Sequence, residues 1–145
     1  MKVLFVCTGN PCRSPMAAAL FTDLLKNAGK KGVEAASAGI SAYPGMPASS
    51  ESIRVMEEYG LSIRDHRTRL LTPDLVKEAD LILCMSRGHL RAVGALGAGD
   101  KARLLAGYAA GEDAEIEDPF GRGLGAYRSC AAQLHAYLIR AVRIV

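Results

Sequence analysis

The sequence has no hydrophobic run long enough to cross a membrane, and its first apolar stretch is too short for a signal peptide. We therefore expect a cytoplasmic protein that does not associate with membranes. Neither a Walker loop nor a Gly-x-Gly-x-x-Gly motif is present, so nucleotide-dependent chemistry is not indicated. The histidines (His66, His89 and His135) are scattered and lack the paired spacing of metal ligands. We expect neither a metal ion nor a cofactor.

Charge of either sign is also limited. The 145 residues include 18 Lys and Arg and 15 Asp and Glu, and the net charge is +3. Such a mild field does not indicate nucleic-acid binding. We expect residues 1–145 to form a single domain, as a monomer or a weak dimer. The four cysteines are predicted to be thiols rather than a disulfide framework.

Strand-like and helix-like patterns alternate along the chain. Short apolar runs at residues 3–6, 33–38, 81–85 and 102–105 predict four strands. Helical spacing predicts helices over residues 15–28, 50–59, 73–79, 87–96 and 126–142, with Thr72 and Ser86 as caps. The Gly-rich, acidic stretch at residues 106–125 predicts a long loop that is either functional or mobile. This order is typical of an α/β fold with a parallel sheet.

One stretch carries recognisable chemistry. Residues 7–15 read CTGNPCRSP and lie between the first predicted strand and the first predicted helix. Ser14 is predicted to cap that helix, and Pro15 to occupy its first position, where no N–H is needed. Because a helix N-terminus presents free N–H groups and the positive end of a dipole, we expect an anion to bind there. Cys7, at the end of the strand, is expected to face that anion.

Cys7 and Arg13 are the predicted reactive pair. The helix end and Arg13 both favour the thiolate of Cys7, and the planar Arg13 guanidinium matches two oxygens of a phosphoryl group. The rest of the binding loop consists of Thr8, Gly9, Asn10, Pro11 (which has no N–H) and Cys12. Gly9 permits a positive φ, and Asn10 is expected to adopt the left-handed conformation and to pin the loop through its amide. The pattern favours phosphoryl transfer over the alternative, a buried structural cysteine beside a surface arginine.

This loop resembles the active-site loop of the low-molecular-weight protein tyrosine phosphatases, in which Cys-x5-Arg-Ser-Pro lies near the N-terminus. A second signature of that family, Asp-Pro followed by an aromatic residue, is matched by Asp118-Pro119-Phe120. The resemblance covers essentially the whole chain. It implies a three-layer α/β fold, with a four-stranded parallel sheet flanked by helices. It also implies hydrolysis of phosphotyrosine on proteins through a phosphocysteine intermediate.

The resemblance assigns roles to residues outside the loop. Asp118 would protonate the leaving group and then activate water, with the adjacent Glu117 as the competing acid. Phe120 would line the pocket in place of the Tyr that the family usually has, and the alternative is an aromatic residue of the core. Ser37 and His66 would support the loop in a network with its asparagine. The alternative for His66 is a solvated loop histidine.

Two residues of the loop itself also take family roles. The Ser14 hydroxyl would bond the Cys7 thiolate and aid its departure, and the alternative is helix capping alone. Cys12 would form a disulfide with Cys7 under oxidant, which would switch activity off reversibly, and the alternative is a small buried thiol.

Pro11 is the position that leaves the substrate open. Tyrosine-directed members commonly have a bulky aliphatic residue there, and the related bacterial protein-arginine phosphatases have Thr. Phosphotyrosine is the first expectation and phosphoarginine the alternative, because other segments resemble the arginine branch. An arsenate reductase shares the loop but needs two further cysteines in one loop, which this chain lacks. A non-catalytic phosphoprotein binder is disfavoured because Cys7, Arg13 and Asp118 are all present.

Overall fold

Four parallel strands form a central sheet in the order β2-β1-β3-β4. The computed structural model describes all of residues 1–145. The strands are β1 (Lys2–Cys7), β2 (Glu34–Gly39), β3 (Leu81–Cys84) and β4 (Ala102–Leu104). The helices are α1 (Arg13–Asn27), α2 (Ser50–Glu58), α3 (Pro73–Glu78), α4 (Arg87–Ala95), α5 (Leu105–Ala110) and α6 (Leu124–Ile144), and a 3-10 turn spans Gly99–Lys101. The predicted α/β fold with a four-stranded parallel sheet is therefore confirmed.

Strand β1 lies between two apolar layers, which explains its uninterrupted apolar run. Val3 and Phe5 belong to a core that the sheet shares with α1, α2, α5 and α6. Leu4 and Val6 point the other way, into a smaller core with α3 and α4. Alternate residues of a strand face opposite sides of a sheet, so a buried parallel strand must be apolar throughout. The result is the predicted three-layer arrangement.

The predicted caps at Thr72 and Ser86 are confirmed. Each side chain accepts a hydrogen bond from the N–H three residues later, at the start of α3 and of α4 respectively. Ser49 caps α2 in the same way. None of the helices combines the length and the hydropathy needed to span a bilayer.

The prediction of a continuous loop over residues 106–125 is wrong in its first part. Residues Leu105–Ala110 form α5, with Leu105, Ala106 and Ala109 buried, and Gly111 ends it at a φ of 67°. The α5 segment has no side-chain cap and contains a glycine, so local signals for a helix are weak. Packing against α6 and the sheet stabilises it instead. Helix α6 likewise begins two residues before the predicted start, at Leu124.

Candidate active site

The loop between β1 and α1 lies at the carboxyl edge of the sheet. Its backbone N–H groups are free, because no hydrogen bond within the protein uses those of Thr8, Gly9, Asn10, Cys12 and Arg13. Asn10 adopts the predicted left-handed conformation, with a φ of 64°. Successive free N–H groups at a helix N-terminus form an anion-binding cradle.

Two details of this loop differ from the sequence-based expectations. Gly9 does not have a positive φ. A Cβ at that position would instead lie 2.9 Å from Cδ of Pro11, so the absent side chain makes room for the proline. Ser14 does not cap α1, because the helix already begins at Arg13 and residue 12 flanks it without a side-chain cap.

The Ser14 hydroxyl bonds into the loop instead. It accepts a hydrogen bond of 2.6 Å from Nδ2 of Asn10 and lies 2.9 Å from Sγ of Cys7. Since the oxygen already accepts from an amide, its own hydrogen is available for the sulfur. All three side chains are buried, so this donor is fixed in place. The sulfur of Cys7 therefore has a hydrogen-bond donor held against it.

Arg13 is the buried cation of the site. Its Nη1 donates to the carbonyl oxygen of Ile116 at 2.8 Å, and its Nη2 donates to Oγ1 of Thr8 at 3.4 Å. The N–H of Ile116 in turn donates to the carbonyl of Met85, just beyond β3. The guanidinium is therefore anchored to the segment that carries Asp118.

Asp118 and Phe120 form the outer wall of the site. Oδ2 of Asp118 lies 3.7 Å from Nη2 of Arg13, and Oδ1 accepts the N–H of Phe120 at 3.1 Å. The Asp118 side chain is half exposed, and Phe120 is 67% exposed. Glu117, the competing acid, instead pairs with Arg122.

The loop, Asp118 and Phe120 together surround one cleft of about 230 Å³. Its lining is Cys7, Thr8, Gly9, Pro11, Cys12, Arg13, Asp118 and Phe120. A larger cavity of about 620 Å³ lies between α1, β2 and residues 61–69, but it contains neither the thiol nor the free N–H groups. The smaller cleft is the candidate active site because nucleophile, cation, donors and acid converge there.

Asn10 is supported from outside the cleft. The N–H of Arg69 donates to its Oδ1 at 2.8 Å, and Nε2 of His66 donates to its carbonyl oxygen at 2.8 Å. Burial is the main cause that lowers the pKa of His66. His66 therefore contacts the loop rather than lying free in solvent.

Ser37 does not join this network as expected. The Ser37 hydroxyl makes no hydrogen bond with Asn10. In the sheet, Ser37 of β2 is the register partner of Phe5 of β1. Only its carbonyl oxygen takes part, as a long 3.4 Å acceptor for Nε of Arg69. The support that Arg69 gives to the loop was missed in the sequence, because an arginine in the basic stretch at residues 64–69 carries no local signal for this contact.

Three further residues around the loop were missed. Tyr127 of α6 has its hydroxyl 3.1 Å from Sγ of Cys12, and burial is the main cause that raises the pKa of that thiol. Nε2 of His89 lies 2.9 Å from Oγ1 of Thr8. Gly39, at the end of β2, packs directly against the loop backbone. Tyr127 had a sequence signal, its place on the apolar side of a helix, but that signal predicts only core packing.

The structure shows no metal-binding arrangement. No group of three or more His, Cys, Asp or Glu side chains is placed to hold a metal ion. The four cysteines are all buried and free.

A buried thiol in a cradle of free N–H groups, with an arginine and a carboxylate at its rim, defines a cysteine-dependent phosphatase. Comparison with known proteins agrees, since the family described as low molecular weight phosphotyrosine protein phosphatase matches residues 2–142. The chain belongs to this family.

Its relatives include both tyrosine- and arginine-directed enzymes by name. The chain is 38% identical over 141 residues to a protein-arginine-phosphatase of Geobacillus stearothermophilus, covering 96% of this chain and 92% of the relative. A solved low molecular weight protein tyrosine phosphatase from T. tengcongensis is 40% identical, with a TM-score of 0.94 over 100% of this chain and 99% of that one. A solved YwlE arginine phosphatase mutant with a phosphorylated active-site serine is 32% identical, with a TM-score of 0.94 over 99% and 95% of the two chains.

Proposed function

We propose that residues 1–145 act as a single phosphatase domain that hydrolyses phosphotyrosine on protein substrates through a phosphocysteine intermediate. The observation that carries the proposal is the position of Cys7, with its sulfur against the Ser14 hydroxyl and in the same cleft as Arg13. The relative whose mutant carries a phosphorylated active-site serine supports a covalent intermediate.

In the first step the Cys7 thiolate attacks phosphorus in line. The bond from phosphorus to the leaving oxygen breaks, and Asp118 gives its proton to that oxygen. The free N–H groups and Arg13 stabilise the three equatorial oxygens, where charge is spread in the transition state.

In the second step Asp118, now a carboxylate, takes a proton from water as the water oxygen attacks phosphocysteine. The P–S bond breaks, which releases inorganic phosphate and returns the thiolate. The Ser14 hydroxyl stabilises the departing sulfur, because it is already held 2.9 Å from it.

Phosphotyrosine is the first candidate because the exposed Phe120 ring and the Pro11 ring give the cleft two apolar walls. Such walls suit a flat phenyl ring, which stacks on aromatic and proline rings. Phosphoarginine is the second candidate, favoured by the relative named protein-arginine-phosphatase. A phosphoarginine substrate carries a cationic guanidinium. The cleft lining offers one carboxylate that could pair with it, that of Asp118.

The test is turnover of a phosphotyrosine peptide beside a phosphoarginine peptide, with Cys7→Ser as the blank. Faster turnover of phosphotyrosine supports the first candidate, and faster turnover of phosphoarginine replaces it with the second. Turnover of both peptides at the level of the Cys7→Ser blank contradicts the phosphatase function. The variants Pro11→Thr and Pro11→Ile then measure how far residue 11 sets the ratio of the two rates.

We also propose a redox switch at the same site. Peroxide oxidises the Cys7 thiolate to a sulfenic acid and is itself reduced to water. The Cys12 thiol then attacks that sulfur, an S–S bond forms and water leaves. Dithiothreitol reverses the reaction and is oxidised to its cyclic disulfide. Both thiols belong to the lining of one cleft, which supports the pairing.

The remaining parts of the proposal concern the cellular setting. A cytoplasmic location is supported by the four free cysteines, since reducing compartments keep thiols reduced. The expected partner is a phosphorylated protein, and the expected state is a monomer or a weak dimer. Sedimentation at two concentrations tests the oligomeric state.

A further inference from the structure

The Thr8 side chain is a polar group of the cleft that the mechanism above does not use. Its Oγ1 accepts from Nη2 of Arg13 at 3.4 Å and lies 2.9 Å from Nε2 of His89. Thr8 also belongs to the lining of the cleft. Its hydroxyl is therefore placed between a buried histidine, the site's arginine and the space where the phosphoryl group binds.

His89 is held rigidly on α4. It is 3% exposed, and its backbone N–H donates to Oγ of Ser86, the cap of α4, at 3.3 Å. Its Nδ1 is the one buried side-chain nitrogen or oxygen atom of the protein without a hydrogen-bond partner. The other ring nitrogen, Nε2, faces Thr8.

These contacts select one form of the imidazole. Burial, followed by the nearby Arg13 charge, lowers the pKa of His89 to about 4, so the ring is neutral at pH 7. A proton on Nδ1 would leave a buried N–H without an acceptor, which native structures avoid. The proton therefore belongs on Nε2, where it is donated to Oγ1 of Thr8.

The Thr8 oxygen then accepts two hydrogen bonds, one from His89 and one from Arg13. A hydroxyl has two acceptor sites and one proton, so with both sites filled the proton points in the remaining direction. That direction is the cleft that Thr8 lines. The hydroxyl thus becomes a donor toward a bound anion.

A hydroxyl donor at Thr8 matters in this chain because the loop contains a proline. Pro11 has no N–H, so the cradle between residues 8 and 13 has one backbone donor fewer than a loop without proline. We propose that His89 is a positioning residue that turns the Thr8 hydroxyl toward the phosphoryl group, where it makes up for the donor missing at Pro11. This role rests on the phosphatase function proposed above.

The experiment is a double-variant cycle between Thr8 and His89. Thr8→Val removes the hydroxyl with little change of shape, and Thr8→Ser keeps it. His89→Leu removes the donor to Thr8, and His89→Gln keeps an N–H near the position of Nε2. His135→Gln is the matched control, because that histidine lies on α6 beside Tyr59 and outside the cleft.

Two readouts are used: kcat/KM on para-nitrophenyl phosphate, and the Kd of inorganic phosphate by calorimetry. A hydrogen bond to a charged group corresponds to roughly a 10- to 100-fold effect. We expect Thr8→Val and His89→Leu each to lower kcat/KM and weaken phosphate binding by about that factor. We expect the double variant to be no worse than Thr8→Val alone, and Thr8→Ser and His89→Gln to recover most of the loss.

Three results would overturn the proposal. Effects of Thr8→Val and His89→Leu that multiply in the double variant show that His89 does not act through Thr8. A fully active Thr8→Val variant with unchanged phosphate binding shows that the hydroxyl is not a donor to the anion, and this result needs no His89 variant to fold. A His89→Gln variant that folds and is as impaired as His89→Leu shows that shape, and not the N–H, is what matters. Phosphate binding is measured without turnover. The double-variant cycle therefore tests the role of Thr8 and His89 separately from the phosphatase function, which the Cys7→Ser blank tests.

Discussion

Gly39 packs so closely on Thr8 that a Cβ at position 39 would lie 2.5 Å from the Thr8 carbonyl oxygen and 2.8 Å from the N atom of Asn10. Both of these atoms belong to the backbone of the loop. The N–H of Ser41 also donates to the Thr8 carbonyl oxygen, at 2.9 Å. A backbone atom cannot move aside as a flexible side chain can. The end of β2 is therefore a rigid support for the loop, and it requires glycine because of space and not because of a positive φ.

We expect Gly39→Ala to displace the loop. Overpacking against backbone costs about 1–3 kcal/mol of unfolding free energy. The same shift misaligns the cradle with Cys7, so kcat/KM should fall by about 100-fold, the effect of a misplacement of about 1 Å. Urea unfolding and steady-state turnover of para-nitrophenyl phosphate measure the two effects.

The matched control is Gly94→Ala on α4. A Cβ there has no neighbour within 4 Å, and the residue lies inside a helix. Stability should rise by about 0.5–1 kcal/mol, because glycine is the poorer helix former, and activity should not change. A Gly39→Ala variant that behaves like Gly94→Ala would contradict the tight contact.

The second prediction concerns the proton given by Asp118. Asp118→Asn should lower kcat/KM on phenyl phosphate by about 10²- to 10⁴-fold, since phenolate is a poor leaving group that needs a proton. The ratio kcat/KM is used because it covers only the steps up to phosphocysteine, whereas kcat also includes the second step, in which Asp118 activates water. The loss should be much smaller on 2,4-dinitrophenyl phosphate, whose leaving group departs as an anion. Steady-state kinetics on the two substrates give the ratio.

Glu117→Gln is the control for that experiment, because the neighbouring acid pairs with Arg122 and is not part of the cleft lining. We expect nearly unchanged kinetics on both substrates. An equal loss of kcat/KM on both substrates for Asp118→Asn would mean that Asp118 binds or positions the phosphoryl group through Arg13 and is not the acid.

The sequence predicted the elements whose signals are local. The loop at residues 7–15 and its place between a strand and a helix could be read directly, and so could the α/β order and the caps of α3 and α4. The signals at Thr72 and Ser86 work because a capping side chain bonds a backbone N–H three residues away. Such contacts need no knowledge of the rest of the fold.

The prediction for Ser14 failed for a local reason: this residue has the sequence signature of a cap, but the helix starts earlier and the hydroxyl is taken by Asn10 and Cys7. The other missed contacts join distant segments. His89 reaches Thr8 across 81 positions of sequence. Gly39 looks like the start of an ordinary loop, and only the pairing of β1 with β2 brings it against the active-site backbone.

The third prediction tests the redox switch. In the wild type, peroxide should inactivate the enzyme, dithiothreitol should restore it, and two free thiols should disappear from a denatured-state count. In Cys12→Ser the inactivation should become irreversible, because a sulfenic acid at Cys7 has no thiol to close with and oxidises further.

Cys84→Ser serves as the control, because Cys84 lies in the smaller core on the other side of the sheet. It should keep the reversible inactivation of the wild type. Thiol counts that stay constant after peroxide treatment of the wild type would exclude the Cys7–Cys12 disulfide.

The last prediction follows from the buried, neutral His89. Burial and then the Arg13 charge lower the pKa of His89 from 6.5 to about 4 in the folded protein. Between those two pH values the unfolded chain binds a proton that the folded chain does not, so folding stability is complete above pH 6.5 and falls as the pH is lowered toward 4. The full effect is about 3 kcal/mol of unfolding free energy.

Urea unfolding of the wild type and of His89→Gln at pH 7 and pH 4.5 isolates this contribution. Carboxylates and His66 titrate in both proteins, so their effects cancel in the difference. The loss of stability on acidification should be smaller in His89→Gln by about 2–3 kcal/mol, because glutamine takes up no proton in this range. Equal losses in the two proteins would mean that His89 titrates alike in the folded and unfolded chains, and the neutral Nε2–H donor to Thr8 would then lack its basis.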